Sequence, residues 1–234
     1  MRNWKRKWEE APISEARTRR IAVPLASEDL PAKLPNIGLH HGEALWVLSL
    51  LGFQGDASKS TFYEYIKSLR KLGTPSDRGS IGYLRRGLAN YSYRHLMELA
   101  LVLTLRVYYV VPDSLLAEII RHRQRLYRHY RRAYTDRSSG LGAPISVRAS
   151  DDVAIRMQGA FLDLRMNYSG GKLEKFGPPR LISPFEALAI YAKHDVASRA
   201  FLPINLSRLS ERLILTALRA PPISRGPRKT SRKK

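Results

Sequence analysis

Cysteine is absent from all 234 residues. That excludes disulfides, thiolate metal sites and cysteine nucleophiles, and it suits a reducing compartment. Acidic residues are scarce, 20 Asp and Glu against 41 Lys and Arg, so the formal charge is +21. A chain this one-sided repels itself unless a polyanion lies near, which points to nucleic acid or an anionic membrane surface. A membrane-spanning run is missing too. The longest apolar stretch, residues 96–111, is interrupted by Glu98 and Arg106 and is too short to cross a bilayer. The first ten residues mix Lys5, Arg6 and Lys7 with Trp4, Trp8, Glu9 and Glu10, and no apolar run follows, unlike a secretory signal. The expectation is a soluble cytoplasmic protein, associated with the nucleoid and with no membrane partner.

Catalytic motifs are lacking as well. There is no P-loop, no G-x-S-x-G and no dinucleotide fingerprint. His40 and His41 are adjacent and diverge on any regular element, as loop histidines near a fold entrance do. His122 and His129 lie two turns apart amid arginines, a poor setting for a metal. Asp151 and Asp152 read as negative charges at a helix N-terminus. Asp163, Glu174, Glu186 and Asp195 have no spacing that suggests a metal-dependent nuclease. The chain is read as a non-enzyme with no cofactor and no metal.

What is present is a folded chain. Apolar residues make up 44% of it, and a chain of this length buries roughly 70% of its unfolded surface. Residues 1–35 carry many charges and four prolines (Pro12, Pro24, Pro31, Pro35), and read as a basic arm. A first helix fits 43–51, with Leu45, Leu48 and Leu51 on one stripe and Gly52 supplying the stop. Phe53-Gln54-Gly55-Asp56 makes a turn. A second helix starts at Ser58, a good N-cap, and ends at Leu72 before Gly73 and Pro75. Phe62, Tyr65, Ile66, Leu69 and Leu72 form its apolar face, and Lys59, Ser60, Tyr63, Glu64, Lys67, Arg70 and Lys71 its opposite one. A basic, hydroxyl-bearing face on the second helix of such a pair suits entry into the major groove.

Residues 76–90 hold three glycines and the arginines Arg78, Arg85 and Arg86. Glycine lets a backbone approach a duplex closely, and arginine contacts phosphate or enters the minor groove. A third helix begins at Tyr91-Ser92 and runs to about residue 110. Pro112-Asp113-Ser114 then restarts the chain into a long basic helix reaching Tyr134. Tyr127, Tyr130 and Tyr134 fall on one seam of it, and Arg121, Arg125, Arg128 and Arg132 largely on another. Such a helix either pairs with its copy in a second subunit or lies along a nucleic-acid backbone; pairing through the tyrosine seam is the favoured reading.

A polar, glycine-rich break at 136–142 is the clearest domain boundary. Beyond it, 145–148 reads as a strand, and Ser150 caps a helix carrying Val153, Met157, Ala160, Phe161 and Leu164. Ser183-Pro184-Phe185-Glu186 is the best helix start in the chain, with cap, proline and acid in order. A last helix fits 206–218, and 221–234 is a basic tail.

The stretch from Ser58 to Ile119 resembles the DNA-binding domain of the MerR family, a winged helix-turn-helix shared with phage excisionases. Tyr91-Ser92, Leu96, Leu99, Val102 and Leu105-Arg106 take the family's register after its wing. Ser58-Lys59-Ser60-Thr61-Phe62 is similar to the start of its recognition helix. The family's Arg-Tyr-Tyr-Glu reads Tyr63-Glu64-Tyr65-Ile66 here, and Tyr108-Tyr109-Val110 stand where it has a glycine. The resemblance implies a DNA-binding dimer with a long pairing helix after the DNA-binding domain.

The expected architecture is mainly α. It comprises an arm (1–35), a winged helix-turn-helix domain (36–112), a long basic helix for dimerisation or nucleic-acid contact (113–137), a small mostly helical C-terminal domain (141–220) and a tail (221–234). The expected function is sequence-specific binding of double-stranded DNA by a homodimeric transcriptional regulator. An excisionase-like or architectural factor of a mobile element, and an RNA-binding or ribosome-associated protein, are the alternatives. Lys59, Ser60, Tyr63, Lys67 and Arg70 are the expected base-edge or phosphate contacts, with Arg78, Arg85 and Arg86 in the wing. Tyr91, Ser92 and Arg94 at the next helix start are expected on backbone phosphate.

Overall fold

The computed structural model describes residues 30–75, 90–150, 153–169, 172–193 and 199–222. A short strand β1 (Gly38–His40) leads into α1 (His41–Leu50), where Glu43 reaches back to accept the His40 N–H at 2.8 Å. Gly52, at φ 92°, ends the helix where a side chain would be strained. Helix α2 (Lys59–Lys71) opens on Ser58, whose Oγ accepts the Thr61 N–H at 3.2 Å. It closes at Gly73, φ 78°, with the Thr74 N–H returning to the Leu69 carbonyl at 3.0 Å. Both ends agree with the sequence reading. Residues 76–89, which hold the expected wing, lie outside the described residues, as do 1–29 and 223–234.

Strand β2 (Asn90–Ser92) pairs antiparallel with β1, Leu39 opposite Tyr91. It feeds α3 (Tyr93–Leu103), which widens into a π-helical turn at Thr104–Tyr108. Val110 then takes φ 53°, the left-handed cap conformation usually left to glycine, and the Val111 N–H bonds the Leu105 carbonyl at 3.1 Å. This is where the sequence has no glycine to offer. The expected single helix from 113 to 134 is two: α4 (Asp113–Arg121) and α5 (Arg123–Thr135), broken at His122. The break coincides with Arg123 turning inward to a buried carboxylate, described below.

The region after the break at 136–142 departs most from expectation. It is not mostly helical. Strands β3 (Ile145–Ser150) and β4 (Val153–Met157) form a hairpin. Strand β5 (Phe161–Ser169) is flanked on one edge by β6 (Lys172–Phe176) and β7 (Arg180–Ile182), and on the other by β8 (Arg199–Asn205), all antiparallel. The helix expected over 150–164 is therefore strand, turn and strand. Val153, Ile155 and Met157 alternate as a strand requires, and Gly159, at φ 90°, interrupts any helix through this stretch. The expected helix starts beyond it are present. In α6 (Pro184–Lys193), Ser183 and Glu186 bond each other's backbone N–H at 2.8 and 3.1 Å. Helix α7 (Leu206–Leu218) is capped by Asn205.

Helix α7 packs against α1, α3 and α5, so one buried cluster runs from Ile37 to Ala217 across the presumed boundary. Polar bonds tie it down. The Tyr93 hydroxyl donates to the Tyr130 carbonyl at 3.0 Å and lies 2.6 Å from Ser210 Oγ. Ser207 Oγ donates to the Ala133 carbonyl at 2.6 Å and accepts the Ala160 N–H at 2.8 Å. No helix among the described residues is long and apolar enough to cross a membrane.

Candidate nucleic-acid interface

Helix α2 is amphipathic in the sense its sequence demands. Phe62, Ile66 and Leu69 are buried, while Lys59, Ser60, Tyr63, Lys67 and Lys71 are exposed and Arg70 is half-buried. At its N-terminus the hydroxyls of Ser60 and Thr61 each lie 2.9 Å from Ser58 Oγ, gathering three hydroxyls at the positive end of the helix. Lys67 meets Glu64 at 3.2 Å, an exposed pair that costs little to part. From behind, Arg106 stacks its guanidinium 4.5 Å from the Tyr65 ring, bonds Ser68 Oγ at 3.4 Å and pairs with Asp113 at 3.3 Å. Arg106 thus holds α2 against the body.

His41 links α2 to the next element. Its ring meets Tyr63 edge-on at 5.4 Å, and its Nδ1 lies 2.9 Å from the Tyr91 hydroxyl. Tyr91 itself is fully buried, so the expectation that it holds phosphate is corrected. As the middle residue of β2 it turns inward under β1, and its hydroxyl serves His41. Ser92 and Arg94 do stand at the mouth of α3, Ser92 half-buried and Arg94 exposed. The Ser92 N–H donates to His95 Nδ1 at 3.2 Å. Burial, with Arg94 and Arg123 adding repulsion, lowers the His95 pKa to about 4, so that ring is neutral at neutral pH.

The tyrosine seam is not a pairing surface. Tyr130 and Tyr134 are 0% exposed inside one chain, and Tyr127 is half-buried. The Tyr134 hydroxyl donates to the Pro31 carbonyl, and the Tyr127 hydroxyl to Glu98 Oε2 at 2.7 Å. Burial, reinforced by Glu98, raises the pKa of Tyr127. Helix α7 and segment 30–37 take the place a second subunit was expected to fill.

The arginines of α5 fall into two kinds. Arg123 is consumed internally: its Nη2 reaches Glu98 Oε1 at 2.6 Å and the Gly73 carbonyl at 2.5 Å. Arg121 at the end of α4, and Arg125, Arg128, Arg131 and Arg132 on α5, are exposed, and of these five only Arg132 has an ion-pair partner among the described residues, Asp136 at 3.6 Å. Arg94 joins them, its guanidinium 5.3 Å from the Tyr127 ring. Contacts therefore run from α2 through Tyr63, His41 and Tyr91 to Ser92 and Arg94, and on to α5. Arg78, Arg85 and Arg86 lie outside the described residues.

His41, read from the sequence as a loop histidine, opens α1, and the sequence reading did not single out Gln124 or Arg131. Gln124 and Arg131 flank Arg128 at helical spacing, four residues before it and three after. Among the described residues no group of three or more His, Asp or Glu side chains is placed to hold a metal ion. Comparison with protein-family models, with curated proteins and with solved structures finds no match to this chain.

Proposed function

We propose that the chain binds double-stranded DNA sequence-specifically through α2 and acts as a transcriptional regulator of the MerR-like type. The observation that carries this is the outward cationic and hydroxyl face of α2, held rigid by its buried apolar face. A helix about 10–12 Å wide with its side chains fits a major groove of about 12 Å. Thirteen residues span about 20 Å of it. Lys59, Ser60 and Tyr63 enter first and Lys67 and Arg70 follow, and Arg78, Arg85 and Arg86, outside the described residues, are proposed as further phosphate contacts. Ser92 and Arg94, together with the exposed arginines of α5, take backbone phosphates beside the groove.

The buried state of Tyr130 and Tyr134 favours duplex over single-stranded RNA, because α5 presents guanidinium groups outward and keeps these rings from stacking on bases. The reading needs only one chain, and sedimentation of the free and DNA-bound protein shows whether two copies share a palindromic site.

The test is fluorescence anisotropy on a duplex selected from a random pool, with random duplex and structured RNA as competitors. Lys67→Ala is expected to cost about 1–3 kcal/mol on the selected site and much less on random DNA. Arg128→Ala is expected to weaken both alike and to reduce the salt slope by about one. Equal losses on both DNAs from Lys67→Ala, or preference for RNA at every salt concentration, would end the proposal.

A further inference from the structure

A groove of about 630 Å³ opens between segment 34–37, the first turn of α3 and the outer side of α5. Its polar lining comprises Asn36, Ser92, Arg94, Gln124, Arg128 and Arg131, with Tyr127 among its rings. The volume lies within the roughly 300–1,000 Å³ of small-ligand sites. No carboxylate is part of the lining. Arg128 and Arg131 have no acidic partner among the described residues, unlike Arg123 and Arg132 on the same helix. Three guanidinium groups around one cavity repel one another until an anion sits between them.

Two further features narrow the anion. The groove meets the N-terminal turn of α3, whose backbone dipole favours a phosphate. The opposite wall presents the half-buried Leu34 and Pro35, with Ile37 buried beneath and the exposed Asn36 beside them, and a bare phosphate would leave its apolar part unused. A flat ring suits that wall, and the Gln124 amide both donates and accepts, as a nucleobase edge requires.

We propose that this groove binds a nucleoside phosphate, with Arg94, Arg128 and Arg131 on the phosphate, Gln124 on the base edge and the 34–37 wall against the ring. Ser92 and Arg94 also belong to the proposed DNA face, so the ligand and the duplex compete. That regulatory half rests on the proposed function, whereas the binding half stands without it. By linkage, each ligand weakens the other by the same factor.

Calorimetric titration of the full chain with AMP, GMP, ADP and GDP, against pyrophosphate and a 5′-phosphorylated tetranucleotide, tests it. At least one nucleotide is expected to bind about tenfold more tightly than pyrophosphate, and Arg128→Ala and Arg131→Ala each to weaken it about tenfold. Arg212→Ala, exposed on α7, is expected to leave it within about twofold, because a surface charge outside the groove is screened. Lys67→Ala is expected to leave nucleotide binding unchanged while lowering DNA affinity, which separates failure of this site from failure of the DNA reading. Pyrophosphate binding as tightly as any nucleotide, equal losses in the Arg128, Arg131 and Arg212 variants, or tighter binding of the tetranucleotide would each overturn the proposal.

Discussion

Arg123 and Glu98 form the most consequential polar contact in the core, and removing one side of it is the sharpest test of how that core is held. The Glu98 side chain is 3% exposed and that of Arg123 22%. Arg123 Nε lies 3.0 and 3.1 Å from the two carboxylate oxygens, Nη2 lies 2.6 Å from one of them, and the Tyr127 hydroxyl donates to the other at 2.7 Å. Burial pulls Arg123 toward its neutral form, and Glu98 more than offsets that, leaving its pKa above the ordinary value. Arg123→Ala leaves a buried carboxylate with one hydroxyl donor, so a loss of about 3–5 kcal/mol is expected. Against a typical domain stability of roughly 5–15 kcal/mol, that approaches unfolding. Glu98→Leu with Arg123→Met and Tyr127→Phe removes every side chain of the network together and leaves only the exposed Gly73 carbonyl without its donor. It is expected to cost less than Arg123→Ala alone, because no charge is stranded. Urea unfolding followed by circular dichroism measures both, with an unchanged m-value confirming comparable states. If the triple variant loses the sum of the separate losses, the contact is not a coupled network and the reasoning fails. Arg123 also bonds the Gly73 carbonyl just past α2, so faster amide exchange at residues 70–74 should accompany the Arg123→Ala loss.

Three smaller predictions concern the same helices. The Tyr130 hydroxyl is buried without a partner among the described residues, so Tyr130→Phe should raise stability by about 1 kcal/mol, whereas Tyr93→Phe, which breaks two buried bonds, should lower it by about 1–3 kcal/mol. Equal effects in urea melts would refute that contrast. Val110 is 79% exposed at positive φ, so Val110→Gly relieves strain at little loss of burial and should gain roughly 0.5–1 kcal/mol in thermal melts, net of glycine's entropy; a loss would show the turn is not strained. His95, neutral and buried, has a folded pKa of about 4 against an ordinary 6.5. The unfolded chain binds the extra proton between those values, so stability is complete above pH 6.5 and declines as pH falls toward 4. His95→Gln should remove that part of the decline in melting temperature, and an identical pH profile would count against it.

Most helices were legible because their signals are local. Ser58, Gly52 and Gly73 act through the few residues around them, and an apolar stripe of period near four marks α2 wherever it packs, whereas α1 is apolar on most sides. The Ser183–Glu186 pair and Leu206 onward behave the same way. Strands β4 and β5 were misread because Val153, Met157, Ala160, Phe161 and Leu164 fit a helical stripe as well as they fit two short strands, and only their pairing with β3, β6, β7 and β8 chooses between them. Of the candidate site, Lys59, Ser60, Tyr63, Lys67 and Arg94 could be named because exposed cations and hydroxyls beside a buried stripe are visible in the spacing.

The amino-acid sequence by itself determined where most helices of this protein begin and end, which side of α2 is apolar, and how strongly the surface favours anions. Only the tertiary structure decided what covers each apolar face. Tyr130 and Tyr134 announce a buried seam, but whether a second subunit or α7 buries it depends on a helix some seventy residues further along the chain. The same long-range packing brings α3, α5 and segment 34–37 around one cationic groove. Local propensity acts over one or two turns, whereas the apolar driving force carries no direction and is satisfied by whichever surface the folded chain brings near.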